Sequence, residues 1–228
     1  MPTMPSPGRK GLALAALIAP CLFALLFASC TIVPDKDENA DKKDKIDIYF
    51  ASDKFNADEF VEKAWDAKVV PFFEEKALPI GEVLAALAAD PKTAGSKFGY
   101  REKAEGSPWN YRVKGEGKIV GVNTESRAST VDVDLDGDGV ADMAIQIGPV
   151  IKDTGIRDSL DFISFTNFTN QLEFARLSNA FNKKVNEAVL ASLNREGLMG
   201  KEVAFTGVFT QLQDPKAVRL TPVILEVK

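Results

Sequence analysis

Apolar and polar residues alternate on both sides of an acidic turn in the second half of the chain. Apolar side chains fall at every second position from Val131 to Leu135 before the turn, and from Met143 to Ile147 after it. A period of two is typical of half-buried strands, and two such strands joined by a short turn form a β-hairpin. The pattern therefore predicts two neighbouring antiparallel strands.

The turn of this hairpin carries aspartates at relative positions 1, 3, 5 and 9 and a glycine at position 6. This spacing wraps oxygen ligands around one hard cation, and it resembles the DxDxDGxxD calcium loops of EF-hand-like and integrin-repeat hairpins. Position 12, a glutamate in EF-hands, is Ile145 here. The alternative is a solvated Asp/Gly turn without a cation, since these residues favour tight turns. The predicted structural Ca²⁺ site comprises Asp134, Asp136, Asp138, Val140 and Asp142.

Helical patterns occupy the part of the chain before the strands. Asn56 followed by Glu59 is a capping pair that predicts a helix beginning directly after Asn56, and Pro71 is expected to interrupt it. A second helix is predicted to begin near Ile80 and to end before Pro91. We expect residues 46–98 to form a helical extension of the main core.

The remaining elements complete the pattern of a small barrel. A strand broken by glycines covers residues 109–122, an amphipathic helix covers 174–188, and two further strands cover 203–209 and 218–227, with Pro222 marking an edge or bulge. The order is strand, strand, strand, helix, strand, strand. The predicted class is therefore α+β, with a five-stranded OB-fold-like barrel over residues 99–228 and a helix between strands three and four.

The N-terminal segment predicts where in the cell the protein is located. Arg9 and Lys10 precede an apolar run over residues 11–28, which ends in small residues before Cys30. This arrangement is typical of a bacterial lipoprotein signal, so we interpret residues 1–29 as the signal peptide and Cys30 as the lipidated residue. The alternative is an uncleaved anchor, because eighteen apolar residues can just span a bilayer. In both cases the folded part faces the periplasm.

Residues 34–45 are almost wholly charged and contain no large apolar side chain. Such a segment cannot bury enough surface to offset the entropy of ordering. We therefore interpret residues 30–45 as the lipidated cysteine followed by a tether, which at full extension reaches on the order of 40 Å beyond the membrane.

The composition excludes several kinds of active site. The chain has no histidine, and both cysteines lie in the N-terminal segment. Serine-histidine triads and histidine-ligated zinc are therefore excluded, and the mature chain has no internal disulfide. The net charge of −5 disfavours nucleic acid as a partner, because an acidic surface repels phosphate.

Four segments together resemble an uncharacterised family of predicted bacterial periplasmic lipoproteins. They are the lipobox at 26–30, WDAKVVPFFEEKA at 65–77, VDLDGDGVAD at 133–142, and IGPVIKDTGIRDSLDFISFTNFTNQ at 147–171. Members of this family are often encoded beside sugar ABC transporters. The resemblance implies an envelope location and a link to sugar transport, and it transfers no catalytic residue.

The densest polar stretch outside the acidic turn is residues 152–171. Amides, a guanidinium and aromatic rings are interleaved there, as a saccharide site requires. The alternative is structural: Arg157 pairs with Asp158 or Asp161, and the asparagines cap helices. The candidate ligand-binding residues are Arg157, Asp158, Asp161, Asn167, Asn170 and Gln171.

We therefore expect a non-catalytic, lipid-anchored accessory domain that binds a small saccharide or a component of a sugar transporter. One alternative is a structural envelope protein that docks on other proteins through the barrel's open face. A second alternative is a hydrolase that uses carboxylates alone, with Asp158 and Asp161 as the pair.

Overall fold

The computed structural model describes residues 55–102, 106–212, 214 and 217–228, all within one compact unit, Lys45–Lys228. The signal segment, Cys30 and the tether lie outside the described residues. Within the described ranges, the helices are too short or too polar to cross a bilayer.

The helical part begins where the capping pair predicts. Helix α1 (Ala57–Ala64) starts after Asn56, whose Oδ1 accepts a hydrogen bond of 3.2 Å from the Glu59 amide. The predicted interruption at Pro71 is wrong, because the chain continues through a π-helical turn (Trp65–Val69) into α2 (Val70–Lys76). The proline stands in the first turn of α2, where its missing N–H is tolerated after the wider π turn.

Helix α3 (Ile80–Ala89) confirms the second predicted helix, and α4 (Pro91–Phe98) follows it at once. The sequence pattern predicts only the end of a helix at Pro91. In the structure Pro91 also begins the next one, because Asp90 caps it by accepting a hydrogen bond of 3.0 Å from the Lys92 amide.

The strands close into the predicted OB-fold barrel. The strands are β1 (Leu78–Pro79), β2 (Asn110–Asn123), β3 (Ala128–Asp134), β4 (Met143–Pro149), β5 (Glu202–Thr210) and β6 (Arg219–Val227). They run in the order β1-β2-β3-β4-β6-β5, and β5 also pairs with β2, which closes the barrel around five strands. The β4–β6 pairing is parallel, and the other pairings of the barrel are antiparallel.

Two glycines permit close approach of the barrel strands. The register of β2 against β3 shifts between Ile119 and Gly121, as the glycine-broken pattern predicts. The register of β5 against β6 shifts at Gly207, opposite Pro222. A Cβ at Gly207 would collide with the Thr221 carbonyl oxygen. The predicted bulge at Pro222 is confirmed, and it depends on the absence of a side chain across the strand pair.

Between β4 and β5 the chain forms α5 (Gly155–Ser159), a short 3₁₀ turn (Phe165–Asn167), α6 (Gln171–Lys184) and a π-helical end (Val185–Leu190). This confirms the predicted helix between strands three and four. Helix α5 lies in a segment that the sequence pattern assigns to a polar loop.

The apolar residues form two packed clusters. One fills the barrel and is covered by α3, with Val83, Tyr111, Ile145 and Leu220 among its members. The other lies between α1, α6 and the outside of the barrel, with Trp65, Phe73, Leu177, Phe181 and Val208. The N-terminal helices therefore share core with the barrel, and Trp65, 2% exposed, serves as core.

Candidate functional site

A cavity of about 340 Å³ opens beside the first turn of α6. The segment before β2 and helix α5 form its other walls. Polar and charged side chains converge there with aromatic rings, and the lining includes Arg101, Glu102, Ser107, Asn110, Arg157, Asp158, Phe165, Gln171 and Phe174. We call this cavity the α6 pocket.

Arg157 is the most enclosed charged residue of the pocket. It projects from α5 and is 9% exposed. Its Nε and Nη2 each lie 2.7 Å from Oδ1 of Asp158, and Nη1 donates a hydrogen bond of 2.9 Å to the Phe174 carbonyl oxygen. The guanidinium also covers the Phe174 ring, 3.7 Å from its centroid. These contacts fix the guanidinium between two helices.

Asp158 uses both carboxylate oxygens within the protein. Oδ1 receives Arg157, and Oδ2 accepts a hydrogen bond of 2.6 Å from the Thr154 hydroxyl. The structure therefore contains the Arg157–Asp158 pair of the structural alternative, and it places that pair in the wall of a cavity.

The opposite wall comes from the segment before β2. The Arg101 guanidinium lies over the Trp109 ring, 3.9 Å from its centroid. Glu102 accepts hydrogen bonds from the Ser164 hydroxyl and from the Phe165 amide, the latter at 3.1 Å. These bonds tie the segment before β2 to the 3₁₀ turn and so fix the width of the pocket.

Asn110 forms part of the floor and is 3% exposed. Its Oδ1 accepts a hydrogen bond of 2.7 Å from the Thr210 hydroxyl across the β2–β5 pair. Asp153, just before α5, accepts bonds from the Gly155 amide at 2.8 Å and from the Thr221 hydroxyl at 2.7 Å. The floor is thereby attached to β5, and the segment before α5 is attached to β6.

The structure brings Arg157, Asp158 and Gln171 together at the pocket. The other predicted ligand-binding residues do not line it. Asn167 accepts a bond of 3.0 Å from the Ser164 amide, and Asn170 caps α6 by accepting a bond of 3.0 Å from the Glu173 amide. Both asparagine side chains accept hydrogen bonds from backbone amides, because the amides at the start of a helical turn have no acceptor within the turn.

Asp161 is exposed and faces a neighbouring pair of side chains, Tyr100 and Arg112. Burial, followed by the negative charges of Asp161 and Glu102, raises the pKa of the Tyr100 hydroxyl. The carboxylates of Asp158 and Asp161 therefore do not share the pocket as the hydrolase alternative requires.

Sequence reasoning missed Arg101, Glu102, Asn110 and Phe174 as pocket residues. Phe174 stands in the predicted helix stripe, where it is assigned to the core. The other three precede or begin β2, far along the chain from α5, and only barrel closure brings them near. The one local signal is the proximity of Arg101 to Trp109 in sequence, because an arginine can stack on a nearby indole.

The acidic turn forms a separate site on the β3–β4 hairpin. Ligand atoms of Asp134, Asp136 and Asp138 all lie within 4.8 Å of one another. Asp134 is buried, and the other two are exposed. Three converging carboxylates are a donor set that suits a hard cation such as Ca²⁺.

Backbone amides also stabilise this turn. Asp134 accepts hydrogen bonds of 2.9 Å from Gly139 and 2.7 Å from Gly137, which lower the pKa of its carboxyl group. Asp142 accepts a bond of 2.8 Å from the Leu135 amide. Val140 is 65% exposed. Asp136 and Asp138, which are exposed, also accept hydrogen bonds in the turn, from the Asp138 amide at 3.2 Å and from the Val140 amide at 2.7 Å.

Comparison with known proteins places this geometry in context. A family model described as "Predicted periplasmic lipoprotein (DUF2291)" matches residues 21–226. An OB-fold protein from Thermotoga maritima has a similar crystal structure, with 24% sequence identity and a TM-score of 0.62. The similarity covers 77% of this chain and 99% of the other, and it shows the fold alone. No curated protein matches the chain.

Proposed function

Because this lipid-anchored periplasmic protein belongs to the family of predicted periplasmic lipoproteins, we propose that its barrel is a non-catalytic accessory domain that binds a small saccharide. The observation that carries the proposal is the α6 pocket, where a fixed guanidinium, amide groups and ring faces converge.

The chemistry of the pocket supports this ligand class. Sugars present hydroxyl groups at their edges and apolar C–H faces, so they need both hydrogen-bonding groups and aromatic surface. Gln171 and Asn110 carry amides, Arg157 carries donors, and Phe165 and Phe174 expose ring surface. A volume of about 340 Å³ lies in the lower range of small-molecule sites, which suits a monosaccharide.

The lining favours binding over acid–base catalysis. The two carboxylates of the pocket, Glu102 and Asp158, both accept hydrogen bonds from the protein. A general acid and a general base need carboxyl groups in two different environments that separate their pKa values. Asp161, the second carboxylate of the hydrolase alternative, lies outside the pocket lining.

The proposal extends to the partner of the domain. The family resemblance links such lipoproteins to sugar ABC transporters, and a periplasmic domain joined to the membrane through the predicted tether can reach a neighbouring membrane complex. We expect the sugar-loaded domain to associate with a transporter component. Co-purification from membranes with and without the bound sugar tests this association separately from sugar binding.

The acidic turn is a proposed structural Ca²⁺ site. Asp136 and Asp138 are exposed, and their carboxylates lie within reach of Asp134, which is a donor set that suits a hard cation. A cation there would neutralise the crowded carboxylates and stabilise the β3–β4 hairpin. The acidic turn lies on the barrel, outside the α6 pocket.

The proposed function is tested by thermal unfolding of the full chain in detergent with a panel of mono- and disaccharides. A ligand at one hundred times its dissociation constant adds about 2.7 kcal/mol to the free energy of unfolding. For a domain of this size the midpoint then rises by roughly 5 to 10 °C. Arg157→Ala is expected to abolish the shift, because it removes the guanidinium that the lining holds between two helices.

Arg176→Ala is the matched control, because Arg176 lies on α6 outside the α6 pocket. Its shift is expected to equal that of the unmodified protein. Unchanged midpoints with every sugar would overturn the saccharide proposal.

A further inference from the structure

We infer that the α6 pocket selects sugars that carry one carboxylate, such as uronic acids. This inference rests on the proposed saccharide function and names the class of sugar. It derives from how the charged groups of the pocket are already used within the protein, and from which of them still have capacity for a ligand.

Arg157 has unused hydrogen-bonding capacity. A guanidinium has five N–H groups, and the described residues accept from three of them, on Nε, Nη1 and Nη2. One N–H remains on each terminal nitrogen. The side chain is 9% exposed and lines the pocket, so a ligand in the pocket can accept hydrogen bonds from these two N–H groups. Two N–H groups on one planar fork match the two oxygens of a carboxylate.

Arg101 supplies a second positive charge on the opposite wall. It stacks on Trp109 and forms no ion pair with any carboxylate in the described part of the chain. Its positive charge is therefore not neutralised by a described ion pair. An anion in the pocket would lie between two guanidinium groups of different walls.

The carboxylates of the pocket set the size of the anionic charge. Asp158 neutralises part of the Arg157 charge, and Glu102 stands near the rim, where it bonds to Ser164 and Phe165. The four charged side chains therefore sum to zero. Asp158 and Glu102 repel any anion in the pocket. A monoanion oriented toward the arginines avoids most of that repulsion, whereas a phosphate with nearly two negative charges would be repelled by both carboxylates.

The ring faces explain why the ligand is a sugar acid and not a simple carboxylate. The Phe165 and Phe174 rings meet edge to face, with centroids 5.3 Å apart, and both line the pocket beside Arg157. The C–H face of a pyranose can cover this surface while its carboxylate reaches the guanidinium fork. Gln171 at the rim offers an amide to the ring hydroxyls.

The test is a calorimetric titration of the full chain in detergent with matched pairs of sugars. The probes are glucose with glucuronate, galactose with galacturonate, and glucose 6-phosphate as the dianion. We expect each uronate to bind at least tenfold more tightly than its neutral parent and more tightly than the phosphate. Arg157→Lys should remove most of the tenfold preference, because an ammonium cannot form the two-pronged contact.

Arg101→Gln provides a second variant in case Arg157→Lys perturbs the fold. It should weaken the binding of each uronate more than that of its neutral parent sugar, and Arg176→Ala should change neither. Equal affinity for neutral sugars and uronates would overturn the inference while the saccharide function stands. Tighter binding of the phosphate would overturn the inference in the same way. Binding of none of the probes would overturn the proposed function together with the inference.

Discussion

The guanidinium of Arg157 lies 3.7 Å from the centroid of the Phe174 ring and also donates a 2.9 Å hydrogen bond to the carbonyl oxygen of the same residue. One side chain therefore holds both the ring and the backbone of α6. The consequence is that α5 and α6 keep a fixed separation at the α6 pocket, and that the Phe174 ring has a defined orientation.

Replacement of Phe174 tests this relationship. Phe174→Leu keeps an apolar side chain but removes the cation–π contact and the edge contacts to Phe165 and Phe168. We expect the free energy of unfolding to fall by roughly 1–2 kcal/mol, measured by urea denaturation. Leu172→Ala is the control, because Leu172 is 60% exposed and its loss should cost less than about 0.5 kcal/mol. Equal losses in both variants would contradict the prediction.

Closure of the barrel makes a prediction at Gly207. A side chain there would meet the backbone of Thr221 and Pro222, which cannot move without separating β5 from β6. Gly207→Ala should therefore lower the free energy of unfolding by about 2–3 kcal/mol. Gly81→Ala is the matched control on helix α3, where nothing lies within 4 Å of the added methyl group, and it should stabilise by about 0.5–1 kcal/mol. A neutral Gly207→Ala in thermal unfolding would argue against the strand contact.

The calcium proposal predicts different behaviour for two aspartates of one turn. Millimolar Ca²⁺ should raise the melting midpoint of the unmodified protein relative to a chelator. Asp136→Asn should abolish that increase and leave the midpoint in chelator unchanged, since Asp136 is exposed and an asparagine oxygen can still accept from the Asp138 amide. Asp134→Asn should lower the midpoint even in chelator, because the Asp134 oxygens accept bonds from Gly137 and Gly139. Identical midpoints with and without Ca²⁺ would refute the site.

The same turn makes stability depend on pH. Amide hydrogen bonds from Gly139 and Gly137 lower the pKa of Asp134 in the folded state. A carboxyl group with a depressed folded pKa contributes stability above its unfolded pKa of about 3.9 and loses it as pH falls through the folded value. In chelator, the unmodified protein should lose more stability between pH 5 and strongly acidic pH than Asp134→Asn. Parallel curves from urea titrations would rule out this linkage.

The lipid anchor predicted from the sequence can be tested by replacing each of the two cysteines in turn. Cys30→Ser should abolish labelling by radioactive palmitate, because Cys30 is the cysteine of the predicted lipobox. Cys21→Ser should retain labelling, because Pro20 precedes that cysteine. Absence of label from the unmodified protein would favour the uncleaved anchor, which carries no acyl group.

Most elements of the fold follow from local patterns. Residues 131–135 and 143–147 alternate because one face of each strand is buried, and Asn56 starts α1 because its side chain accepts from an amide three residues later. The same local reasoning fails at Pro71, and at Pro91 it predicts the end of α3 without the start of α4. A proline's effect depends on where it stands in a helix, and the π turn before Pro71 is set by packing of Trp65 and Val69 into the second core.

The sequence by itself determined the order of the five barrel strands, the helix between strands three and four, the OB fold, the family and the polar stretch that contains Arg157. Each of these depends on residues that are close in the chain. Only the tertiary structure decided that Arg157, Asp158 and Gln171 share a pocket with Arg101 and Asn110, while Asn167 and Asn170 serve as caps. The physical reason is that β2 must pair with β5 to close the barrel, placing Asn110 beside Thr210. That pairing joins positions whose separation no local periodicity encodes.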